Sequence, residues 1–266
     1  LESRARKAVR PLFLNNDIIA FYGHPQSPNM GIVGRYDPDE LNGRLNELAA
    51  RYNGANGDRG VRTAFYIIYG TVQPGGRISR IPEEILQYYL RFALNHDMLV
   101  FIDHQIGRGD PVDSLKELLP YLHYPNVHLA LDPEWRTDKP MRHIGGVSAE
   151  ELNAAQHVMS DYLVKQKLPG ERMLVVHQFN YRMITEREKV RTGYRKVVLV
   201  HCADGFGSPA VKKDSYRYNA LASNMPVKGF KLFYNFNIPG AGYDDPLLAP
   251  EDVLALKPRP CLIIYQ

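Results

Sequence analysis

The chain has 266 residues and a formal net charge of +4, with 44% hydrophobic and 23% charged residues. These values are typical of a globular protein with a substantial core, and they exclude disordered, collagen-like and coiled-coil classes. The charge excess is small and forms no dense Lys/Arg stripe, so we expect no nucleic-acid partner. Two cysteines, Cys202 and Cys261, are too few for a disulfide scaffold and lack the spacing of a zinc site.

No apolar run approaches the ~20 residues of a membrane-spanning helix, so we expect a soluble chain without such a segment. The sequence begins with Leu1 rather than Met. The lack of a signal peptide within it therefore does not exclude export, and the compartment stays open.

Short apolar runs bounded by turn signals predict eight strands. The runs are nearly continuous in apolar residues instead of alternating, a pattern typical of parallel strands covered on the outside by helices. In chain order they are residues 18–22, 62–69, 98–102, 127–131, 173–176, 196–200, 229–233 and 261–265.

Amphipathic stretches between these strands predict helices. Three begin with a clear N-cap signal, at Asp37, Asp110 and Ser148. Residues 181–194 are charged and weakly periodic, and 240–260 are rich in Pro and Gly, so the helices there should be short or irregular. The predicted long helices cover residues 38–52, 82–95, 112–122, 149–167 and, less regularly, 208–221.

Eight strands alternating with helices over this length predict an α/β fold, a single (β/α)8 TIM barrel over residues 1–266 with residues 1–16 as an N-terminal extension. The last predicted strand ends the chain, where such a barrel closes. A doubly wound open sheet is the alternative, although no G-x-G-x-x-G follows any strand.

Catalytic groups of such barrels lie at the carboxyl ends of the strands, and polar residues collect there in this sequence. At the opposite ends, the polar residues Asp17, Arg62, Lys196 and Lys228 are expected to be solvated. This one-sided distribution predicts an active or binding site at the mouth. The residues that follow the strands include His24, Tyr69, Asp103, Gln105, Asp132, Glu134, Trp135, His177, Gln178, His201, Asp204, Tyr234 and Asn235.

The sharpest motif is Asp132-Pro133-Glu134-Trp135 at the end of the fourth strand. Residues i and i+2 of a strand face the same way, so both carboxylates should point into the mouth. Their repulsion and partial burial would raise the proton affinity of one and leave the other ionised, as acid/base cleavage of a glycosidic bond requires. The alternative is a surface loop in which Asp132 caps a turn before Pro133.

A D-x-E at the end of barrel strand four resembles the catalytic motif of family-18 chitinases and family-25 lysozymes. The resemblance implies that Glu134 is the general acid and that Asp132 orients or stabilises the substrate or intermediate. The longer chitinase motif has further Asp residues upstream, where this chain has Val127 and Ala130. Many glycosidases also carry a second catalytic Glu after strand seven, where no carboxylate stands here.

The leading hypothesis is therefore a glycosidase-like hydrolase that acts on a glycan or other small polar ligand. Its candidate catalytic residues are Glu134, Asp132 and Asp103. We expect a monomer that needs no cofactor. Two alternatives remain. One is a metal-dependent hydrolase that uses strand-end His and Asp residues. The other is a barrel that binds carbohydrate without cleaving it. The candidate substrate-binding residues are His24, Tyr69, Gln105, Trp135, His177, Gln178, His201, Asp204, Tyr234 and Asn235, and the candidate metal ligands are His24, Asp103, His177 and His201.

Overall fold

Eight parallel strands close into a barrel within residues 15–266, the part of the chain that the computed structural model describes. The first strand pairs in parallel with both the second and the last, with Ile18 opposite Arg62 on one side and Leu262 on the other. This closure confirms the predicted (β/α)8 barrel and excludes the open sheet. The strands are β1 (Asn16–His24), β2 (Gly60–Val72), β3 (Leu99–Gln105), β4 (Val127–Asp132), β5 (Arg172–Gln178), β6 (Val197–Ala203), β7 (Lys228–Leu232) and β8 (Leu262–Tyr265).

The predicted N-terminal extension, residues 1–16, lies almost entirely outside the described residues, and β1 begins at Asn16. Short antiparallel strands extend the barrel wall at two places, Ser27–Gly31 beside β1 and Ile78–Arg80 beside β2.

Six α-helices occur within residues 15–266. The three predicted N-caps are confirmed: the Asp37 side chain accepts from Glu40 N, Asp110 accepts from Val112 N, and Ser148 forms a capping box with Glu151. The helices are α1 (Pro38–Ala55), α2 (Glu83–Asn95), α3 (Pro111–Leu118), α4 (Ala149–Lys165), α5 (Pro209–Ala220) and α6 (Pro250–Leu254). No helix in this part of the chain has the length and hydropathy needed to cross a membrane.

The connection between β5 and β6 is the irregular one, as the weak periodicity predicted. Within the described residues it contains two 3-10 turns, Tyr181–Met183 and Arg187–Lys189, and a two-residue strand, Ile184–Thr185, that pairs with Val147–Ser148. The link between β7 and β8 holds only the five-residue α6.

Side chains alternate between the inside of the barrel and its outer face, where the helices pack. Tyr66 and Phe101 stack inside the barrel with ring centroids 5.1 Å apart. Outward residues such as Phe65 and Val100 pack with α1, α2 and the other helices in the larger apolar cluster.

The expectation of solvated polar residues at the amino ends of the strands is wrong for two of the four, since Arg62 and Lys196 are partly exposed. Asp17 and Lys228 are buried. Asp17 accepts from Arg59 and Arg259, and the Lys228 ammonium donates to the Asn219 and Ala222 carbonyls next to α5. Chain segments that lie far apart in sequence supply these partners, so a local pattern does not predict them.

Candidate functional site

Four carboxyl groups gather at the carboxyl ends of the barrel strands. Asp103 lies on β3, Asp132 ends β4, Glu134 lies in the following 3-10 turn, Pro133–Trp135, and Asp204 follows β6. The three aspartates are almost fully buried, while Glu134 is partly exposed at the opening. Burial of so many acids in one place is costly unless protons or cations neutralise them.

A tight turn sets the spacing of the D-x-E pair. The Asp132 carboxylate accepts from the backbone N–H of Glu134 at 3.3 Å, and Pro133 starts the 3-10 turn. The Gly145 N–H donates to the Glu134 carbonyl at 2.7 Å, so a second loop holds the same turn. Asp132 does cap a turn, but it does so from inside the barrel and not in a surface loop.

The surroundings of Asp132 and Glu134 raise the pKa values of both carboxyl groups. Burial raises the pKa of Glu134 to about 8, and the charges of Asp132 and Asp204 add to that rise while Lys231 and His177 oppose it. Burial likewise raises the pKa of Asp132 to about 7. The two coupled carboxyl groups therefore hold a proton at neutral pH between them, and Glu134 is the more exposed of the two.

Two cations balance the acids. Burial alone would lower the pKa of His177, but its contact with Asp204, 3.3 Å between Nδ1 and Oδ2, raises it well above the usual range. The second cation is Lys231, buried on β7 with its ammonium 3.7 Å above the centroid of the Tyr22 ring. Lys231 is not among the residues predicted from the sequence, although a lysine in the middle of an apolar run, Gly-Phe-Lys-Leu-Phe, is a usable signal.

Two tyrosines extend the network inward. Tyr22 donates to Asp103 Oδ2 at 3.0 Å, and the Tyr66 hydroxyl lies 2.7 Å from His177 Nε2. The other oxygens of Asp103 and Asp204, Oδ1 in each, are buried and have no hydrogen-bond partner among residues 15–266. Such unsatisfied acceptors favour a raised pKa, which Asp103 has because of its burial.

Four predicted binding residues do not face the mouth. His201, Gln178, Tyr69 and Tyr234 lie on the outer face of the barrel, which is a correction to the prediction. His201 Nε2 lies 2.8 Å from Gln178 Oε1, and Lys228 from β7 approaches its Nδ1 at 3.2 Å. Tyr234 stacks on Tyr265, and Tyr69 packs in the outer apolar cluster.

The remaining predicted residues have mixed positions. Gln105 is buried and accepts from Val72 N at 2.8 Å, so it holds the end of β2. Asn235 is exposed and accepts from the Asn237 N–H, and His24 is half-buried in the hairpin after β1. Trp135 is half-buried, and its carbonyl accepts from Gly107 N, which ties the loop after β3 to the loop after β4.

The predicted metal ligands do not converge. Asp103 and His177 face the inside of the barrel, but His201 points outward toward α5 and His24 lies in a hairpin. Among residues 15–266, no three His, Cys, Asp or Glu side chains are arranged to hold a metal ion. The side chains therefore do not favour a metal-dependent hydrolase.

A buried ion pair holds two loops at the mouth. Lys212 of α5 pairs with Asp244 at 3.3 Å and donates to the carbonyls of Gly205 and Lys231. Asp244 also accepts from Gly207 N at 3.1 Å and from Phe233 N at 3.0 Å. This clamp joins the loop after β6 to the loop after β7.

Comparison with known proteins finds likeness in structure only. No family model and no curated protein matches the sequence. Solved structures similar to this chain include a chitinase domain from Pyrococcus furiosus, with 12% identity over 97% of this chain and 85% of that one, at a TM-score of 0.49. They also include the family 18 chitinase of Crocus vernus, with 11% identity over 94% and 92% and a TM-score of 0.46. A third is the chitinase ChiB of Flavobacterium johnsoniae, with 9% identity over 94% and 87% and a TM-score of 0.47. Similarity at this level concerns the fold, which hosts many unrelated activities.

Proposed function

We propose that this barrel hydrolyses a glycan by carboxylate acid/base catalysis, with Glu134 as the proton donor. One observation carries the proposal: at the opening of the barrel, the partly exposed Glu134 follows the buried Asp132 in a tight turn, and burial raises the pKa of both carboxyl groups. Two neighbouring carboxyl groups that hold one proton between them can supply the acid and the carboxylate that cleavage of a glycosidic bond needs.

The proton balance of the reaction follows from these two groups. Glu134 donates its proton to the glycosidic oxygen as the bond from that oxygen to the anomeric carbon breaks. The ionised Asp132 stabilises the positive charge that develops on the sugar ring. A water molecule then adds to the anomeric carbon and returns a proton to the Glu134 carboxylate, which restores the starting state.

The surrounding groups support this division of roles. Asp204 is ionised because His177 lowers its pKa against the effect of burial, and its negative charge favours the protonated form of Glu134. Lys231 limits that rise and keeps Asp132 within reach of ionisation at neutral pH. Tyr22 and Tyr66 fix the positions of Asp103 and His177.

The test is hydrolysis of chitohexaose and of cellohexaose, followed by release of reducing ends. The substitution Glu134→Gln keeps the shape of the side chain but has no proton to give, so we expect a loss of about 10²- to 10⁴-fold in kcat/KM. Glu84→Gln, on the exposed surface of α2, is the matched control and should leave the rate unchanged.

Full activity of Glu134→Gln would contradict the role of Glu134. Binding of a hexaose without any release of reducing ends by the unaltered protein would instead favour a barrel that binds carbohydrate without cleaving it.

A further inference from the structure

An exposed aromatic ring stands beside the acid cluster. Phe206 has 54% of its surface accessible, and it follows Asp204 by two residues in the loop after β6. A span of two residues covers at most about 7 Å, so the Cα atom of Phe206 lies within that distance of the Cα atom of Asp204 at the mouth. Ligand sites combine aromatic side chains with a few polar groups, and this loop places the two together.

The ring is seated on a glycine. A Cβ at Gly242 would lie only 2.2 Å from Phe206 Cζ and 2.3 Å from Cε2, so the ring rests flat on the bare backbone of this residue. Phe233 meets it edge-on, with ring centroids 5.9 Å apart at 72°. One face of the ring is thus supported by the protein.

The loop that carries the ring is fixed from below. Gly207, next to Phe206, donates its N–H to Asp244, which pairs with the buried Lys212. Lys212 also donates to the carbonyl of Gly205, the residue that precedes Phe206 in the chain. The backbone is therefore held on both sides of Phe206, and little conformational entropy is lost when a ligand covers the ring.

We propose that Phe206 is the stacking platform of a sugar-binding subsite at the barrel mouth, and that it takes an uncharged pyranose unit of the glycan. This proposal rests on the proposed function, because a sugar unit held on Phe206 would place the glycosidic bond at the catalytic carboxyl groups. Lys212 and Asp244 are buried and paired with each other, so they offer no partner to an ionic substituent, and the exposed Asp245, whose N–H donates to the Gly207 carbonyl, disfavours an anionic one.

A pyranose ring fits this chemistry because one of its faces is apolar and its edge carries hydroxyl groups. Tyr243, which follows Gly242 and is 41% exposed, adds an aromatic ring with a hydroxyl to the same loop. Neither Phe206 nor Tyr243 is among the binding residues predicted from the sequence.

The experiment measures binding apart from catalysis. The parent protein is the full chain carrying Glu134→Gln, and chitohexaose and cellohexaose are titrated separately by isothermal calorimetry. On this parent, Phe206→Ala should weaken binding of the recognised hexaose about tenfold or more, and Phe206→Trp should retain it.

A second variant tests the seat of the ring. Gly242→Ala keeps Phe206 but places a methyl group where the ring lies, so it should weaken binding in the same direction. Tyr88→Ala removes a ring of similar exposure, 47%, from the outer surface of α2 and should have no effect. Circular dichroism and thermal melting confirm that each variant is folded.

The outcomes separate the two proposals. An unchanged Kd in Phe206→Ala, while the parent binds a hexaose, overturns the platform whether or not the unaltered protein is a hydrolase. Loss of binding in Phe206→Ala, with no hydrolysis by the unaltered protein, supports the platform and overturns the hydrolase. A parent that binds neither hexaose overturns the platform, and hydrolysis by the unaltered protein then decides the proposed function on its own.

Discussion

Both ends of the barrel bury carboxylates, but they treat them differently. At the amino ends of the strands, Asp17 has both oxygens in ion pairs, Oδ1 with Arg59 at 3.0 Å and Oδ2 with Arg259. At the mouth, Asp103 and Asp204 each have one buried oxygen that receives no hydrogen bond from the described part of the chain. The mouth thus holds acids whose protonation can change, whereas the other end holds an acid tied into the fold.

The two ends show that the same barrel can place buried carboxyl groups in two different electrostatic environments. A buried carboxylate whose oxygens are all paired contributes to the stability of the folded state, and its loss leaves unpaired cations behind. A crowded set of carboxyl groups with too few cations has raised pKa values and costs stability, which is common at functional sites.

The largest effect is expected from a substitution that removes the ion pairs of Asp17 at the amino ends of the strands. Asp17→Asn removes the charge that Arg59 and Arg259 share, so we expect the free energy of unfolding to fall by about 3 kcal/mol. Urea denaturation at pH 7 measures it. Asp58→Asn, at an exposed position close by in the chain, should change stability by less than about 0.5 kcal/mol. Equal effects of the two variants would show that the buried ion pairs do not stabilise this end.

A smaller effect of opposite sign is expected at the mouth. The pKa of Glu134 is raised to about 8 in the folded chain from an ordinary 4.5, so its contribution to stability is present below pH 4.5 and is lost as the pH rises toward 8. The Gln side chain in Glu134→Gln does not ionise, so it stays uncharged at both pH values. We therefore expect the variant to be more stable than the parent at pH 8 and equally stable at pH 4.

Urea denaturation at the two pH values checks this difference. A variant that is less stable than the parent at pH 8 would contradict the raised pKa. Glu84→Gln, on exposed α2 surface, should show no pH-dependent gain.

The smallest effect concerns the balance of charge at the mouth. Lys231 lowers the pKa of Glu134 and of Asp132 against the larger effect of burial, so Lys231→Met should raise both. Because Glu134 would then stay protonated to higher pH, the alkaline limb of kcat/KM should move upward by about one pH unit. Lys231→Arg keeps the charge and should leave the limb in place. An unmoved limb in Lys231→Met would mean that Lys231 does not balance these acids.

Local patterns predicted the frame of this molecule well. All eight strands and the five long helices occur where periodicity placed them, and three caps were identified by residue type. Strand ends fall within a few residues of the expectation, since apolar runs and turn residues act over short distances.

The faces of the strand ends were harder to predict. His177 and His201 both follow apolar runs on neighbouring strands, yet the first points into the barrel and the second points toward α5. In the pairing of β5 with β6, Cys202 lies opposite His177, so His201 is one residue out of step. A shift of one residue reverses the face, and runs that are apolar throughout carry no alternation to reveal it.

Sequence by itself therefore determined the order of strands and helices, their caps and the gathering of polar residues at one end of the barrel. These depend on propensity, periodicity and the direction of parallel strands, which neighbouring residues encode. Tertiary structure alone decided that Lys231 and His177 balance the acids, that Lys212 meets Asp244, and that Phe206 rests on Gly242. Each of these contacts joins segments distant in the chain, and barrel closure and register set their distances and burial.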